Sequence, residues 1–204
     1  MLNLIQGGVF VAQLYFRYGA MGCGKTMQLL QVAFNYEERG LKVCVIKPAT
    51  DTKNGTKLLT RIGPERDTNF TVDRRTNVFN RIKKDYADVD CVLVDESQFL
   101  TPKQVDQLMD VVIFLNIPVI CYGLRMNALM NDEGFEGATR LLQIAHKIEE
   151  IKTICDCGRK ATLNTRWLDG KLITSGPAVL IDGTSKIEYK ALCEHCYHKF
   201  REEQ

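Results

Sequence analysis

With 204 residues, 45% of them apolar and 25% charged, the chain has the size and composition of one ordinary globular domain carrying at most a small appendage; disordered, fibrous and large multidomain classes are excluded. Lys and Arg total 27 against 25 Asp and Glu, a formal charge of +2, so no broad positive field argues for nucleic acid or anionic lipid as a partner. The longest apolar runs, such as Val89 to Val94 interrupted by Asp90 and Val111 to Leu115, fall far short of the ~20 residues that span a bilayer, and no leader-like segment precedes Arg17, so a cytoplasmic protein without a membrane partner is expected.

Ala12 to Tyr18 is aromatic and apolar and stops at Gly19, which predicts a strand. Lys25 to Arg39 follows as a helix, with apolar residues at Met27, Leu30, Ala33 and Phe34 and Gly40 just past its end. Leu41 to Ile46 is a second strand, closed by Pro48. Asp51 to Asp73 is polar and broken by Gly55, Gly63 and Pro64; Asn77 to Tyr86 is weakly helical, and Cys91 to Val94 is a buried strand. Thr101-Pro102 opens a helix to about Leu115, with threonine as N-cap and proline in the first turn, and Pro118 to Tyr122 is a further strand. Short apolar strands alternating with helices predict an α/β fold, a P-loop-type parallel sheet with helices on both faces.

The composition changes near Ile151, dividing the chain into residues 1–150 and a small β-rich unit, 151–204. Strand-like pieces at Ala161 to Leu168, Lys171 to Thr174 and Ala178 to Ile181 are separated by turn signals at Asp169-Gly170, Ser175-Gly176-Pro177 and Asp182-Gly183. A unit this small buries little core and needs a staple. Of eight cysteines, Cys44, Cys91 and Cys121 sit inside apolar strands as small hydrophobes. Cys155-x-Cys157 and Cys193-x-x-Cys196 form two close pairs. Four thiolates on two tight turns suit a closed tetrahedral zinc site that contributes folding free energy rather than catalysis; unpaired thiols or a disulfide are the alternatives. His195 and His198, beside four sulfurs, are read as surface residues.

Gly19-Ala20-Met21-Gly22-Cys23-Gly24-Lys25-Thr26 matches G-x-x-x-x-G-K-[ST] between a predicted strand and a predicted helix. The loop amides and helix N-terminus would face phosphate oxygens of ATP, Lys25 would place a point charge on the terminal phosphates, and the Thr26 hydroxyl would bind magnesium. Cys23, beside Lys25 among anion-stabilising amides, reads either as a reactive thiol or as a small filler. Val92-Leu93-Val94 then ends in Asp95-Glu96. Ligand groups gather beyond the carboxyl ends of parallel strands, so Asp95 can complete the magnesium shell and Glu96 can face the group that accepts the phosphoryl; a solvated strand end is the alternative.

Gly19-Ala20-Met21, Asp95-Glu96-Ser97-Gln98-Phe99, Tyr122-Gly123-Leu124-Arg125, Gly134-Phe135-Glu136-Gly137 and Tyr189-x-x-x-Cys193-x-x-Cys196-Tyr197, in this order, resemble the cellular and bacterial type II thymidine kinases from about Leu14 to Phe200. The resemblance implies transfer of the γ-phosphoryl group of ATP to the 5′-hydroxyl of thymidine or deoxyuridine, with Glu96 as general base. It implies a base pocket lined by Met21, Phe99 and Leu124, and a lasso-like loop holding Ala178, Val179, Leu180, Ile181, Asp182 and Tyr189 that the zinc site tethers over the nucleoside. Asp95, Glu96, Ser97 and Gln98 would form the nucleotide-side block, with Asp51 near metal and phosphates. A homotetramer inhibited by dTTP is the inherited expectation.

Departures are visible. Met126-Asn127-Ala128 stands where relatives carry Thr-Asp-Phe, in a stretch to Phe135 about two residues longer, so an aromatic wall is expected to be missing and Leu129 or Met130 to refill it. Lys53 replaces a common arginine, which keeps charge without bidentate geometry. Two competing readings remain at this level: a zinc-ribbon ATPase acting on nucleic acid, and a relative that binds ATP without phosphorylating a nucleoside.

Overall fold

The structure, a computed structural model, describes residues 11–50, 55–129, 134–176 and 187–203. In chain order it runs β1 (Leu14–Tyr18), α1 (Lys25–Glu37), β2 (Val43–Pro48), β3 (Lys57–Leu59), β4 (Glu65–Asp67), β5 (Phe70–Val72), α2 (Val78–Asp85), β6 (Cys91–Val94), a 3-10 turn (Ser97–Phe99), α3 (Pro102–Leu115), β7 (Val119–Gly123), α4 (Glu136–Ile144) and β8 (Lys147–Glu150). There follow β9 (Thr153–Ile154), β10 (Lys160–Ala161), β11 (Leu163–Leu168), β12 (Lys171–Ile173), β13 (Ile187–Leu192) and α5 (Glu194–Glu202).

Six strands form one parallel sheet in the order β5-β2-β6-β7-β1-β8. Successive side chains of a strand face opposite ways, and the two apolar clusters divide the sheet residues accordingly. Leu14, Phe16, Cys44, Ile46, Val92, Val94, Val119 and Cys121 pack on one face against α2, α3 and α4. Val43, Val45, Cys91, Leu93, Ile120 and Tyr122 face the other way, against Leu29 and Ala33 of α1. Strand β1 connects leftward through α1, whereas β6 and β7 connect rightward through α3 and α4; same-handed crossovers in opposite directions place their helices on opposite faces. Both faces are thereby covered, which is why these strands read as unbroken apolar runs.

Local signals hold where they are chemical. Thr101 caps α3 reciprocally with Gln104 behind Pro102, and Asn77 accepts the Asn80 amide to start α2. The buried stripe of α1 differs from the expected one: Leu29 and Ala33 are fully buried while Phe34 is 62% exposed. The register of the helix on the sheet follows Lys25, which must point into the loop, and this rotates Phe34 outward. The polar stretch from residue 55 onward, assigned no element from the sequence, forms a β3-β4 hairpin and the edge strand β5, paired with Ile46 to Pro48. Strand β8, paired with β1, and helix α4 add to the elements expected.

Past Ile151, β9 pairs with β10, and β11 is the centre of a three-stranded antiparallel sheet, β12-β11-β13, followed by α5. Its core is Cys155, Ala161, Leu163, Trp167, Leu172, Leu192, Cys193 and Tyr197, with Phe200 and Met126 against it. Trp167 and Phe200 meet edge to face, ring centroids 5.1 Å apart. Alternation over Ile187–Leu192 makes that segment a strand, so Tyr189 stands in β13 opposite Arg166 rather than in a loop. The expected strand at 178–181, with Ala178, Val179, Leu180, Ile181 and Asp182, lies outside the described residues, as do Asp51, Lys53 and Met130.

Candidate phosphate, nucleoside and metal sites

The phosphate loop joins β1 to α1 at the carboxyl end of the sheet. Gly22 and Gly24 take φ of +78° and +83°, a backbone region costly for residues with a Cβ, so the turn needs glycine at both. Gly24 is the N-cap of α1, and no side chain caps it. The amides ahead of Gln28 have no acceptor within the helix, which makes this end a receptor for phosphate oxygens. Lys25 is 7% exposed and curls over the loop, its Nζ donating to the carbonyls of Gly19 (3.2 Å) and Ala20 (3.1 Å). Cys23 Sγ lies 3.7 Å from the same ammonium and fills the space that a Cβ on Gly19 would take, 2.5 Å away.

At the end of β6 the Thr26 hydroxyl donates to Asp95 Oδ2 at 2.9 Å. The other oxygen, Oδ1, is buried without a hydrogen-bond partner among the described residues. Burial first, and the charge of Glu96 second, push the Asp95 carboxyl up to about 7, against the pull of the Thr26 hydroxyl and Lys25. A hard divalent cation takes carboxylate and hydroxyl oxygen, so the orphaned atom and its neighbour suit magnesium.

Glu96 holds a left-handed backbone, φ +47°, which turns the chain off β6 into the 3-10 turn. Gln98 Nε2 donates to Glu96 Oε2 at 2.5 Å, while Gln98 Oε1 accepts the Leu124 amide at 3.0 Å. Ser97 is buried and donates to the Tyr122 carbonyl at 2.9 Å. Of Ser97 and Gln98, expected beside the nucleotide, Gln98 ties Glu96 to the Leu124 backbone and Ser97 ties the 3-10 turn to β7. The close approach depends on Gly137, whose Cβ would stand 2.6 Å from the carbonyls of both Ser97 and Leu100.

Phe99 is half-buried and meets Phe135 edge to face at 5.2 Å. Phe135 was expected only as part of a motif, and its ring packs beside Phe99 and against the sheet core, a neighbour that the sequence did not assign. Leu124 and Leu129 are buried, and Asn127 Oδ1 holds the Leu129 amide at 2.9 Å, so the altered segment is internally ordered through Leu129. A second unassigned residue is Arg61, at the tip of the β3-β4 hairpin. Its Nη1 lies 3.5 Å from the position of a Cβ at Gly22, which sets a guanidinium over the phosphate loop. Its signal was hidden in the polar stretch from Asp51 to Asp73.

The thiols of Cys155, Cys157, Cys193 and Cys196 lie within 4.8 Å of one another. A tetrahedral zinc with ~2.3 Å sulfur bonds needs sulfurs about 3.8 Å apart, so the cluster fits that ion, and the single residue between Cys155 and Cys157 is accommodated by Gly158 at φ +83°. His195 and His198 are exposed and outside the cluster, as expected.

A glycine loop at a helix start, with a threonine and a buried carboxylate converging on one cation position, makes this chain a P-loop nucleotide-binding protein of the parallel α/β type. Similarity narrows the class. The profile of the family described as thymidine kinase matches residues 12–197. A thymidine kinase of Francisella tularensis subsp. holarctica is 45% identical over 190 residues, covering 90% of this chain and 95% of that one. One from Chromobacterium violaceum is 45% identical, covering 92% and 99%, and one from Lactiplantibacillus plantarum is 42% identical, covering 92% and 96%. The chain belongs to the thymidine kinase family.

Proposed function

We propose that the protein is an ATP:thymidine 5′-phosphotransferase, forming dTMP from thymidine, with deoxyuridine as a possible second substrate, for DNA synthesis by salvage. The observation that carries the reading is the Thr26–Asp95 pair with its orphaned oxygen, one residue from a glutamate held in place by Gln98. Lys25 and the α1 amides hold the donor phosphates, and Arg61 adds positive charge above them. Magnesium, held by Thr26 and Asp95, would supply neutralising charge to those phosphates. Glu96 accepts the proton of the 5′-hydroxyl as its oxygen bonds to the γ-phosphorus and the bond to the leaving ADP oxygen breaks. Met21, Phe99, Phe135 and Leu124 bound the base, with Ala178, Val179, Leu180, Ile181, Asp182 and Tyr189 as further substrate-binding residues.

Zinc on the four cysteines would cross-link the chain to either side of the β11 sheet. We place the boundary between the phosphate-binding unit and this ribbon at about residue 150. Feedback by dTTP, a homotetramer and a cytoplasmic location accompany the reading; among the described residues no helix is long and apolar enough to cross a membrane. The test is nucleoside monophosphate formation from ATP, magnesium and a nucleoside panel, with Glu96→Gln alongside. Formation of dTMP that disappears in Glu96→Gln is the expected result. Retained ATP binding with no monophosphate from any nucleoside would make the protein a non-catalytic relative.

A further inference from the structure

Asn164 of the ribbon bridges to the phosphate loop. Asn164, on β11, is 2% exposed, and its two amide functions leave the ribbon in different directions. Oδ1 accepts the backbone N–H of Met21, in the phosphate loop, at 2.8 Å. Nδ2 donates to the carbonyl of Met126, three residues past Gly123, at 3.0 Å. The partners define the amide's orientation, because an N–H needs an acceptor and a carbonyl needs a donor. No other side chain of this length offers one of each in a rigid fork: aspartate has two acceptors and leucine has neither.

Each partner leads to the reacting groups. Met21 precedes the Gly22–Gly24 turn that presents the helix amides. Met126 continues from Leu124, whose amide is tied through Gln98 to Glu96. Met126 also packs into the ribbon core that contains Cys155 and Cys193. The same fork therefore touches the donor side and the base-bearing side of the site, and its own strand is anchored beside the cysteine cluster.

We propose that Asn164 is a positioning residue for phosphoryl transfer, a clamp through which the ribbon sets the placement of the phosphate loop relative to Glu96. This rests on the kinase reading above. Removing the fork leaves the Met21 amide and the Met126 carbonyl without their protein partners at a part-buried contact, which loosens the loop while the apolar cores of sheet and ribbon stay in place.

The test compares Asn164→Ala and Asn164→Asp with Thr165→Val. Among the described residues the side chain of Thr165, the next residue, bonds within the ribbon, to Lys190 and Trp167, so its variant reports loss of ribbon stability. For each protein, zinc content, Tm, kcat, the KM values for ATP and thymidine, and calorimetric ATP binding are measured. We expect Asn164→Ala to retain zinc, to lose about tenfold or more in kcat/KM for ATP and to bind ATP about tenfold more weakly, while Thr165→Val lowers Tm with kinetics intact. Asn164→Asp sets a carboxylate oxygen against the Met126 carbonyl and should be impaired near neutral pH, its activity relative to wild type recovering as acidification returns a donor to the fork.

Kinetics and ATP binding of Asn164→Ala within about twofold of wild type would overturn the clamp, as would an equal kinetic loss in Thr165→Val at equal loss of Tm. A wild-type protein that turns over no nucleoside would sink the kinase reading instead, and the ATP-binding arm would still decide the clamp.

Discussion

The parallel sheet and the ribbon are held by different physics. The sheet buries both faces, with Leu14, Phe16, Val92, Val94 and Val119 fully enclosed on one side and Val45, Leu93 and Tyr122 on the other, so hydrophobic burial over two layers suffices. The ribbon has one small cluster around Trp167 and Tyr197, and two of its members are cysteines of the thiol cluster. A region that small relies on cross-linking, and its loss should leave the larger region standing.

Metal removal tests that contrast with the largest expected effect. Chelation of zinc should unfold residues beyond about 151, seen as lost amide protection in β11 and β13, while β1, β6 and β7 stay protected; structural zinc in small domains contributes about 10 kcal/mol or more. Ribbon amides that stay protected after the metal has gone would place its stability in the apolar cluster instead. Next in size is the chemistry of the sheet's carboxyl end. Glu96→Gln should lower kcat by about 10²- to 10⁴-fold without weakening ATP binding, and a kcat within tenfold or so of wild type would remove the general-base assignment.

Gly137→Ala sharpens the comparison from the sheet side. A methyl group there meets two carbonyls of the 97–100 turn at 2.6 Å, so we expect a loss of about 1–3 kcal/mol and a fall in kcat, because the backbone that displaces is the one carrying Gln98. Unchanged urea midpoint and unchanged kcat would mean that the turn yields freely. The smallest effect belongs to the surface tie between the hairpin and α1, where Arg66 donates to both Glu37 oxygens at 2.7 and 2.8 Å. That bond holds the Glu37 carboxyl below its ordinary 4.5. A lowered folded value means the contribution is present above the unfolded value and disappears as pH falls through the folded one. Arg66→Ala should therefore cost ~0.5 kcal/mol near neutral pH, reduced by solvent screening at this partly exposed pair, and nothing in acid; a difference that survives acidification contradicts the pairing.

Most of the site chemistry was legible because it is written in short-range terms. A glycine loop between strand and helix, two carboxylates at a strand end, a threonine cap with proline behind it and two cysteine pairs each carry their meaning within a few residues. The expectations that shifted were those involving surfaces. The buried stripe of α1, the edge strand β5 and the strand position of Tyr189 all depend on what lies across a contact.

The sequence by itself determined the class of fold, the phosphate loop, the candidate metal ligands and the family, since periodicity and motif spacing are properties of the chain alone. Only the tertiary structure decided that Asp95 keeps an oxygen without a partner among the described residues, that Arg61 stands over Gly22, that Phe135 meets Phe99 edge to face and that Asn164 grips Met21 and Met126. The Arg61, Phe135 and Asn164 contacts join residues tens of positions apart or more, and a contact between such distant groups exists only once packing has brought both together.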